Sequence, residues 1–390
     1  MKISTRAGGI GESATLRVAR RASELQAAGR RVLDLGAGEP DFDSPPCAVA
    51  AAVAALEAGF TRYTAVAGIP ELRRALAERY RRDHGCPWDA SRYVVGVGAK
   101  GVLFELFLAV LDPGSEVVLP SPYWVSFPEQ IRFCGARPVF VPGAAADGFR
   151  IEAEALLTAV TDATRIILVN SPCNPSGGMI EADELRRLVA GAAERGILVV
   201  SDETYERFVY DGRRHASVAG LAAEFPETVV LAGSFSKTYA MTGWRLGYLA
   251  GPADLVRAVS DIQSHSTSNP TSFAMSGAVA ALESAEPEVE AMIAEYAARR
   301  ELVSRRLAAM AGVACVPPAG AFYAFPDVSA CFREGRSGSV AMAEYLLEEA
   351  GVAVVPGEAF GADDHLRLSF ACSRERLEEA LERIAEALAR

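Results

Sequence analysis

The sequence predicts an α/β protein with a large domain, built on a mostly parallel seven-stranded sheet flanked by helices, and a smaller α+β domain. Two observations lead to this prediction. From residue 93 onward, short β-rich runs alternate with helical patterns, and most of the runs are continuously apolar, as in strands buried on both faces of a parallel sheet. After about residue 285 the pattern changes to long helices with a few short strand-like runs, which indicates a second unit.

Seven runs are predicted to form the large sheet. Each is short and mostly apolar, and helical segments such as Gly101–Leu111 and Glu181–Arg195 lie between them. Strands joined through helices run parallel, which favours helices on both faces of the sheet. The runs are Tyr93–Val97, Glu116–Leu119, Pro138–Val141, Arg165–Val169, Ile197–Ser201, Thr228–Ala232 and Leu246–Ala250.

The chain beyond residue 285 is predicted to combine helices with short strands. A long helix carries apolar residues from Val289 to Met310, and a final helix carries them from Leu377 to Leu388, at the period of a helix with one buried face. The short strands are predicted at Ala321–Phe325, Val352–Val355 and Leu366–Phe370.

These patterns divide the chain into two predicted domains. The large domain is residues 46–285, and the small domain combines residues 1–45 with residues 286–390. From pattern alone, residues 1–45 fit neither domain clearly.

Composition argues against several classes of protein. The chain of 390 residues has a formal net charge of −11 and a pI near 5.1, and an acidic protein repels nucleic-acid phosphates and anionic lipids. No apolar run approaches the roughly 20 residues that span a bilayer, and no secretory signal is evident. Seven scattered cysteines form no Cys-x-x-Cys pair, so neither a metal site nor disulfides are predicted. We expect no nucleic-acid or membrane partner, and a reducing, cytoplasmic setting.

Lysine is rare in this sequence, and its rarity is informative. Of 39 basic residues only Lys2, Lys100 and Lys237 are lysine. A bias that replaces surface lysines with arginine explains the background, and the lysines that remain are candidates for tasks that arginine cannot perform. Forming an imine is one such task, because a buried ammonium group can lose its proton whereas a guanidinium stays charged.

Ligands of open α/β sheets bind beyond the carboxyl ends of the strands, and four such ends carry unusual residues. At the first, Gly98, Ala99 and Lys100 precede an apolar helix, where backbone amides favour a phosphate; a plain strand-to-helix turn is the better explanation of this signal alone. At the second, the rigid loop around Asn174 offers hydrogen bonds to a ligand, and a structural turn accounts for it equally well.

The other two strand ends carry charges. Asp202 follows a buried apolar run, where a carboxylate is costly unless a positive group faces it. A protonated pyridine nitrogen would be such a group, and a helix N-cap is the competing explanation. After the next run, two serines, Lys237 and, eight residues later, Arg245 place phosphate ligands beside a candidate imine-forming amine. Because this stretch offers more ligands than the surroundings of Lys100, we place the imine at Lys237.

These strand ends belong to a longer series of motifs. In order, the series is Leu35–Phe42, Tyr63 with Gly68–Arg73, Ser121–Trp124, Asn174–Pro175, Asp202–Tyr205, Ser236–Lys237, Gly243–Tyr248 and Arg367–Phe370. The series resembles the class I aminotransferases, in the branch that includes bacterial aspartate aminotransferases, over nearly the whole chain. No single block is decisive, and the number and order of the blocks make the resemblance specific.

The resemblance implies pyridoxal 5′-phosphate (PLP) as the cofactor. Lys237 is implied to hold it as a Schiff base and to shuttle the substrate proton, and Asp202 to pair with the pyridinium nitrogen, which keeps the ring an electron sink. Tyr205 and Asn174 are implied to hydrogen-bond the phenolic oxygen. The remaining implied contacts are ring stacking by Trp124 and phosphate binding by Gly98, Ala99, Lys100, Ser234, Ser236 and Arg245.

The resemblance also implies the substrates and the assembly. An L-amino acid donates its α-amino group to a 2-oxo acid, and Arg367, helped by Asn174, Trp124 and the Gly38 backbone, is implied to clamp the α-carboxylate. Tyr63 is implied to reach the phosphate of a neighbouring subunit, so a homodimer is expected.

Two departures from this pattern leave the amino donor open. Relatives that act on acidic substrates can carry a lysine near the position of Leu108 or an arginine near residues 263–269, and this sequence has neither. Arg17 is a candidate for reading the substrate side chain, with a solvated surface charge as the alternative.

Two other functions stay open at this point. The same residues would serve β/γ-elimination or cyclisation of a specialised amino acid. A non-catalytic ligand-binding protein of the same fold is the second alternative, which the presence of every chemical position disfavours.

Overall fold

The computed structural model describes residues 3–11 and 14–389 of the chain. In these ranges the strands are β1 (Leu33–Asp34), β2 (Tyr93–Val97), β3 (Glu116–Ser121), β4 (Arg137–Pro142), β5 (Thr164–Asn170), β6 (Leu198–Asp202), β7 (Val229–Ser234), β8 (Leu246–Ala250), β9 (Tyr323–Ala324), β10 (Val352–Ala353), β11 (Val355–Pro356) and β12 (Leu366–Ser369). The α-helices of the same ranges are α1 (Thr5–Gly8), α2 (Ala14–Ala27), α3 (Pro46–Glu57), α4 (Pro70–His84), α5 (Gly98–Val110), α6 (Ser126–Phe133), α7 (Ala153–Thr158), α8 (Ala182–Ala193), α9 (Phe235–Thr238), α10 (Ala253–Ser266), α11 (Ser272–Ser284), α12 (Glu286–Ala308), α13 (Ser339–Tyr345) and α14 (Arg374–Leu388).

The large sheet has seven strands in the order β2-β8-β7-β6-β5-β3-β4. The central pairs from β4 to β7 are parallel, whereas β8 is antiparallel to both of its neighbours. Each predicted run of the large sheet is a strand, with ends within two residues of the prediction. The mostly parallel α/β architecture is therefore confirmed.

Alternate residues of each central strand face two different apolar cores. In β5, Ile166 and Leu168 belong to the core on one face of the sheet, and Ile167 and Val169 to the core on the other. All four are at most 1% exposed. Burial on both faces explains why the strands are continuously apolar, and why a polar residue at their ends needs a separate reason.

A third core lies among α12, α14 and the small sheet β11-β12-β9. The predicted strand Val352–Val355 is divided, because β10 pairs with β1 in parallel while β11 pairs with β12. Strand β1 was not predicted, since two residues show no period. Its neighbour Leu35 packs in this third core, as does Tyr205 of the large sheet's β6 turn. The domain boundary between residues 285 and 286 stays a prediction.

Three absences hold for residues 3–11 and 14–389. None of the helices there combines the length and the apolar character needed to cross a membrane. No group of three or more His, Cys, Asp or Glu side chains is placed to hold a metal ion. The cysteines of this part of the chain are all free thiols.

Candidate active site

The polar strand ends meet at one cavity of about 310 Å³. The carboxyl ends of β5, β6 and β7 lie side by side, with Asn170 opposite Asp202 and Asp202 opposite Ala232 in the sheet register. Segments before β2 and after α12 complete the wall. Most of the predicted site residues line this cavity: Gly38, Ala99, Lys100, Trp124, Asn174, Asp202, Tyr205, Ser234, Ser236, Lys237, Arg245 and Arg367.

Lys237 extends from the short helix α9 that follows β7. The Ser234 hydroxyl caps this helix by accepting a hydrogen bond from the Ser236 amide at 3.0 Å. The Lys237 Nζ donates to the Gly38 carbonyl oxygen at 2.6 Å. Removal from water lowers the pKa of Lys237 to about 8, while nearby carboxylates and arginines act in opposite directions. At neutral pH a fraction of this amine is therefore uncharged and nucleophilic.

Asp202 is a buried carboxylate, 5% exposed, at the end of β6. Its Oδ1 accepts a hydrogen bond from the Thr204 amide at 3.1 Å, and it forms no ion pair with any described residue. Desolvation raises the pKa of Asp202 to about 6. No helix begins directly after it, so the N-cap explanation does not apply, and the carboxylate is available to a cation in the cavity.

Arg367 is a guanidinium with 2% exposure on β12. Its Nη1 donates to Asn174 Oδ1 at 2.9 Å and its Nη2 to the Gly36 carbonyl oxygen at 2.7 Å. Its Nε has no hydrogen-bond partner, and Arg367 forms no ion pair with a described residue. A buried guanidinium with a spare donor and no carboxylate partner has the chemistry to bind a carboxylate ligand.

The start of α5 and the turn before β8 form one end of the cavity, where the sequence predicts a phosphate. Gly98 has a φ of 74°, and a Cβ there would lie 2.7 Å from Arg245 Nη2. Arg245 itself adopts a left-handed φ of 55° and donates to the Thr242 carbonyl oxygen at 2.8 Å. Helix α5 begins at Gly98, three residues before the predicted start, so the amides of Ala99 and Lys100 lie in its first turn and have no intrahelical acceptor.

The side chain of Lys100 lies at the wall of the cavity. Its Nζ is 4.9 Å from the centroid of the Trp124 ring. Burial, together with the charge of Arg245, lowers the pKa of Lys100. Lys100 also lines a second space of about 580 Å³, which we call the outer cavity, together with Arg17 and Phe104. The Lys100 side chain therefore lies between the two cavities.

Two predicted site residues lie away from the cavity lining. Gly98 lies behind Arg245, as described above, and Tyr63 is 90% exposed to solvent. Conversely, the lining contains residues that the sequence did not single out: Val125, Ser126, Asn170, Thr204 and Tyr323. Asn170 ends a strand as Asp202 does, so the strand-end rule was able to find it. Tyr323 gave no such signal, because a tyrosine within an apolar run is typical of a core residue.

The chain is similar to known proteins over nearly its full length. Residues 30–384 match the family model "Aminotransferase class I and II". An aspartate aminotransferase of Geobacillus stearothermophilus is 43% identical over 387 residues, 98% of each chain. A probable aspartate/prephenate aminotransferase of Aquifex aeolicus is 45% identical over 388 residues, which are 99% of this chain and 98% of the relative. The solved structure of Thermus thermophilus aspartate aminotransferase with maleate has a TM-score of 0.94 and 42% identity, covering 99% of this chain and 100% of its own.

These relatives are aminotransferases along their full length, which favours amino-group transfer over the elimination or cyclisation alternative. The substrates of such enzymes are amino acids and oxo acids. A match of this length and identity, on the fold and strand ends described above, shows that the chain belongs to the class I and II aminotransferase family.

Proposed function

We propose that this aminotransferase binds PLP at Lys237 and transfers the α-amino group of a dicarboxylic L-amino acid, aspartate or glutamate, to a 2-oxo acid. One observation carries the proposal. Lys237, Asp202 and Arg367 line a single cavity, and none of them forms an ion pair with another described residue. Unpaired charges in a poorly hydrated site are costly, which indicates that ligands supply their partners.

The groups of PLP match what the cavity offers. Asp202 would face the protonated ring nitrogen, Trp124 the ring and Lys237 the aldehyde carbon. The phosphate would lie at the first turn of α5 beside Arg245, Ser234 and Ser236. When bound, PLP withdraws electrons from the substrate α-carbon, so that the proton on this carbon becomes acidic.

The chain's own groups would bind the substrate and move its proton. Arg367 holds the α-carboxylate with its unused N–H donors, and the Asn174 side chain fixes the guanidinium. Lys237 Nζ, with a pKa of about 8, would take the proton from the substrate α-carbon and deliver it to a carbon of the cofactor. Tyr205 donates its hydroxyl proton toward the phenolic oxygen of the cofactor.

The cavity wall supports an acidic amino donor. Aspartate and glutamate carry a second carboxylate, and Lys100 supplies an exposed cation on the cavity wall. All three relatives above have aspartate in their names, and the solved one holds maleate, a dicarboxylate. Lys100 thus replaces the lysine or arginine that the sequence lacks near residues 108 and 263–269.

We also propose a homodimer in the cytoplasm. Helix α3 exposes Val49, Val53 and Leu56, and Phe60 and Tyr63 follow on the same stretch of chain. A contiguous set of exposed apolar side chains supports a protein interface, and Tyr63 would then reach the phosphate of the partner's cofactor. The free thiols of the described residues support a reducing compartment.

The attachment of PLP can be tested by reduction and peptide mapping. Purified protein is incubated with PLP, treated with sodium borohydride and digested, and we expect the cofactor mass on the peptide with Lys237. The chain has only two other lysines, Lys2 and Lys100, so the map separates all possible sites. Lys237→Arg keeps the charge and should abolish labelling. Label on Lys100, or none at all, contradicts the proposal.

The donor can be tested with the same holoenzyme. Single amino acids are added without an oxo acid, and conversion of the cofactor to its amino form is followed by absorbance. We expect aspartate and glutamate to convert it fastest. Repeated release of pyruvate and ammonia without an acceptor, at more than one equivalent per cofactor, would favour elimination instead.

A further inference from the structure

Tyr323 touches two groups of the proposed active site at once. It lies on β9 and is fully buried. Its hydroxyl oxygen is 2.7 Å from the Tyr205 hydroxyl oxygen, and the centroid of its ring is 4.5 Å from Arg367 Cζ. A Cβ added at Gly38 would be 3.3 Å from the Tyr323 hydroxyl. Tyr323 therefore lies where the cofactor-binding and carboxylate-binding sides meet.

The two hydroxyls share one hydrogen bond, so the direction of that bond matters. Removal from water raises the pKa of both tyrosines, and each keeps its proton at neutral pH. If Tyr323 donates to Tyr205, the Tyr205 proton is free for another acceptor. If Tyr205 donates, it has no proton left to give.

Two features favour Tyr323 as the donor. The Arg367 cation stands over its ring and withdraws electron density, which strengthens the Tyr323 hydroxyl as a donor. An anionic acceptor beyond Tyr205 would attract the Tyr205 proton, and each hydrogen bond in such a chain polarises the next.

We propose that Tyr323 is a positioning residue, which orients the Tyr205 hydroxyl toward the phenolic oxygen of bound PLP and supports the Arg367 guanidinium against the substrate carboxylate. This inference rests on the proposed function. It gives one side chain two separable tasks, since the hydroxyl serves Tyr205 and the ring serves Arg367.

The hydroxyl task can be tested with Tyr323→Phe, which keeps the ring. The Schiff base between Lys237 and PLP carries a proton that it shares with the phenolic oxygen of the cofactor. A hydrogen-bond donor at this oxygen withdraws negative charge from it, and the Schiff-base nitrogen then binds the shared proton less tightly. Loss of the Tyr323 hydroxyl should therefore raise the pKa at which the visible absorbance of the holoenzyme changes, by about 0.5. The KM for the donor should stay within about twofold of the wild-type value, because a ring still lies beneath Arg367.

A double-variant test separates positioning from a general effect. Tyr205→Phe alone should raise the same pKa more than Tyr323→Phe does. Adding Tyr323→Phe to Tyr205→Phe should cause no further rise, because the hydroxyl acts through Tyr205. An additional rise of equal size would overturn the proposal.

The ring task can be tested with Tyr323→Leu. This change should raise the KM for the donor about fivefold or more relative to Tyr323→Phe, since it removes the nearer of two rings that contact the guanidinium, the other being Phe360 at 5.1 Å. An equal KM in the two variants would contradict the second task.

Tyr210 provides a matched control. It is a buried tyrosine whose hydroxyl donates to the Ala321 carbonyl oxygen at 2.6 Å, its ring lies 5.4 Å from Arg300 Cζ, and it does not line the cavity. Tyr210→Phe should lower the melting temperature without moving the visible titration. If Tyr323→Phe moves the titration no more than this control does, the inference is wrong while the proposed function stands. A wild-type protein that binds no PLP would refute both.

Discussion

Three ionisable side chains of the cavity are buried or partly buried, and burial disfavours the charged form of each. Removal from water raises the pKa of Asp202 to about 6 and lowers that of Lys237 to about 8, and Arg367 is buried without a carboxylate. Each of these features destabilises the protein without ligands, and each has a counterpart on PLP or on an amino acid. Ligand binding is thereby coupled to stability.

Asp202→Asn should stabilise the protein without cofactor while removing its activity. The pKa of Asp202 in the fold, about 6, exceeds the ordinary value of 3.8. The contribution of the protonated Asp202 carboxyl group to the free energy of unfolding is therefore fully present below pH 3.8. It is lost as the pH rises through 6, a loss on the order of 3 kcal/mol. Denaturant unfolding of the cofactor-free proteins at pH 8 should show the variant as more stable, and the difference should shrink toward pH 4.

The same substitution should act differently once PLP is bound. A protonated ring nitrogen pairs with the wild-type carboxylate and offsets its desolvation, so PLP should stabilise the wild type more than Asp202→Asn. Equal stabilisation of the two proteins by PLP would show that Asp202 does not face the ring nitrogen.

Lys100→Gln should change which donors the enzyme prefers. A hydrogen bond to a charged group contributes about 1.5–3 kcal/mol, so kcat/KM for aspartate should fall by roughly one to two orders of magnitude. The value for alanine, which lacks a second carboxylate, should stay within about threefold. Arg17→Gln tests the alternative cation, because Arg17 also lines the outer cavity. A loss for aspartate in Arg17→Gln but not in Lys100→Gln would place the second carboxylate at Arg17. A uniform loss for both donors would instead place Lys100 at the phosphate.

The residues of the candidate site were predictable to different extents. Asp202 stood out because a carboxylate at the end of a buried apolar strand is costly without a positive partner, although a helix N-cap also accounted for it. Lys237 stood out because lysine is rare in this sequence and two serines precede it. The position of the Lys100 side chain over Trp124 was not predicted, because it depends on tertiary packing that the local sequence does not contain. Tyr323 was missed because tyrosine also fits an ordinary apolar core.

At the scale of secondary-structure elements, two backbone turns form the end of the cavity that is proposed to hold the phosphate. The turn from β2 into α5 requires the positive φ of Gly98, and the turn into β8 holds Arg245 in a left-handed conformation. A non-glycine residue in this conformation carries strain of order 1–3 kcal/mol, which is typical of functional sites. The close approach of Gly98 to Arg245 joins the two turns.

Gly98→Ala should weaken PLP binding by about tenfold or more. The new methyl group would meet the Arg245 guanidinium, at 2.7 Å, and move it from the phosphate position. Gly114→Ala is the matched control, because Gly114 also has a positive φ, of 93°, but nothing lies within 4 Å of its added Cβ. Both variants should lose similar stability, whereas only Gly98→Ala should change the dissociation constant in a PLP titration. A similar loss of affinity in both would attribute it to strain alone.

The elements that were predicted well are those with a strong local signal. The strands of the large sheet lie within two residues of their predicted ends because apolar runs between helices mark burial on both faces. Strand β1 gave no signal, since its two residues are defined by pairing with β10, over 300 residues later in the chain. The start of α5 was placed too late because Gly98 to Lys100 carry no apolar period.

The whole molecule places the cavity between the large sheet and the third core. Asp202 ends strand β6 of the large sheet and Lys237 lies on α9, directly after β7, whereas Tyr323 and Arg367 come from the small sheet around β12. One site residue, Tyr63, lies on the outside instead, 90% exposed beside the apolar residues of α3. In the proposed homodimer this tyrosine completes the partner's site, so each site would contain side chains of both subunits.

Mixed dimers test this arrangement directly. Lys237→Ala and Tyr63→Ala chains, carrying different affinity tags, are produced together, and the heterodimer is isolated with both tags in turn. Lys237→Ala alone should lose about 10²-fold or more in kcat, and Tyr63→Ala alone should bind PLP more weakly in both sites. The heterodimer combines an intact Lys237 with an intact Tyr63 in one of its two sites, so it should recover about half of the wild-type activity at low PLP.

The control pair is Lys237→Ala with Asp202→Ala. Both residues line the same cavity of one chain, so each site of that heterodimer keeps one lesion and no activity should return. Recovery in the first heterodimer but not in the second requires Tyr63 to act across the subunit boundary. If the first heterodimer is no more active than its parents, or if the protein runs as a monomer in sedimentation, Tyr63 acts within its own chain or not at all.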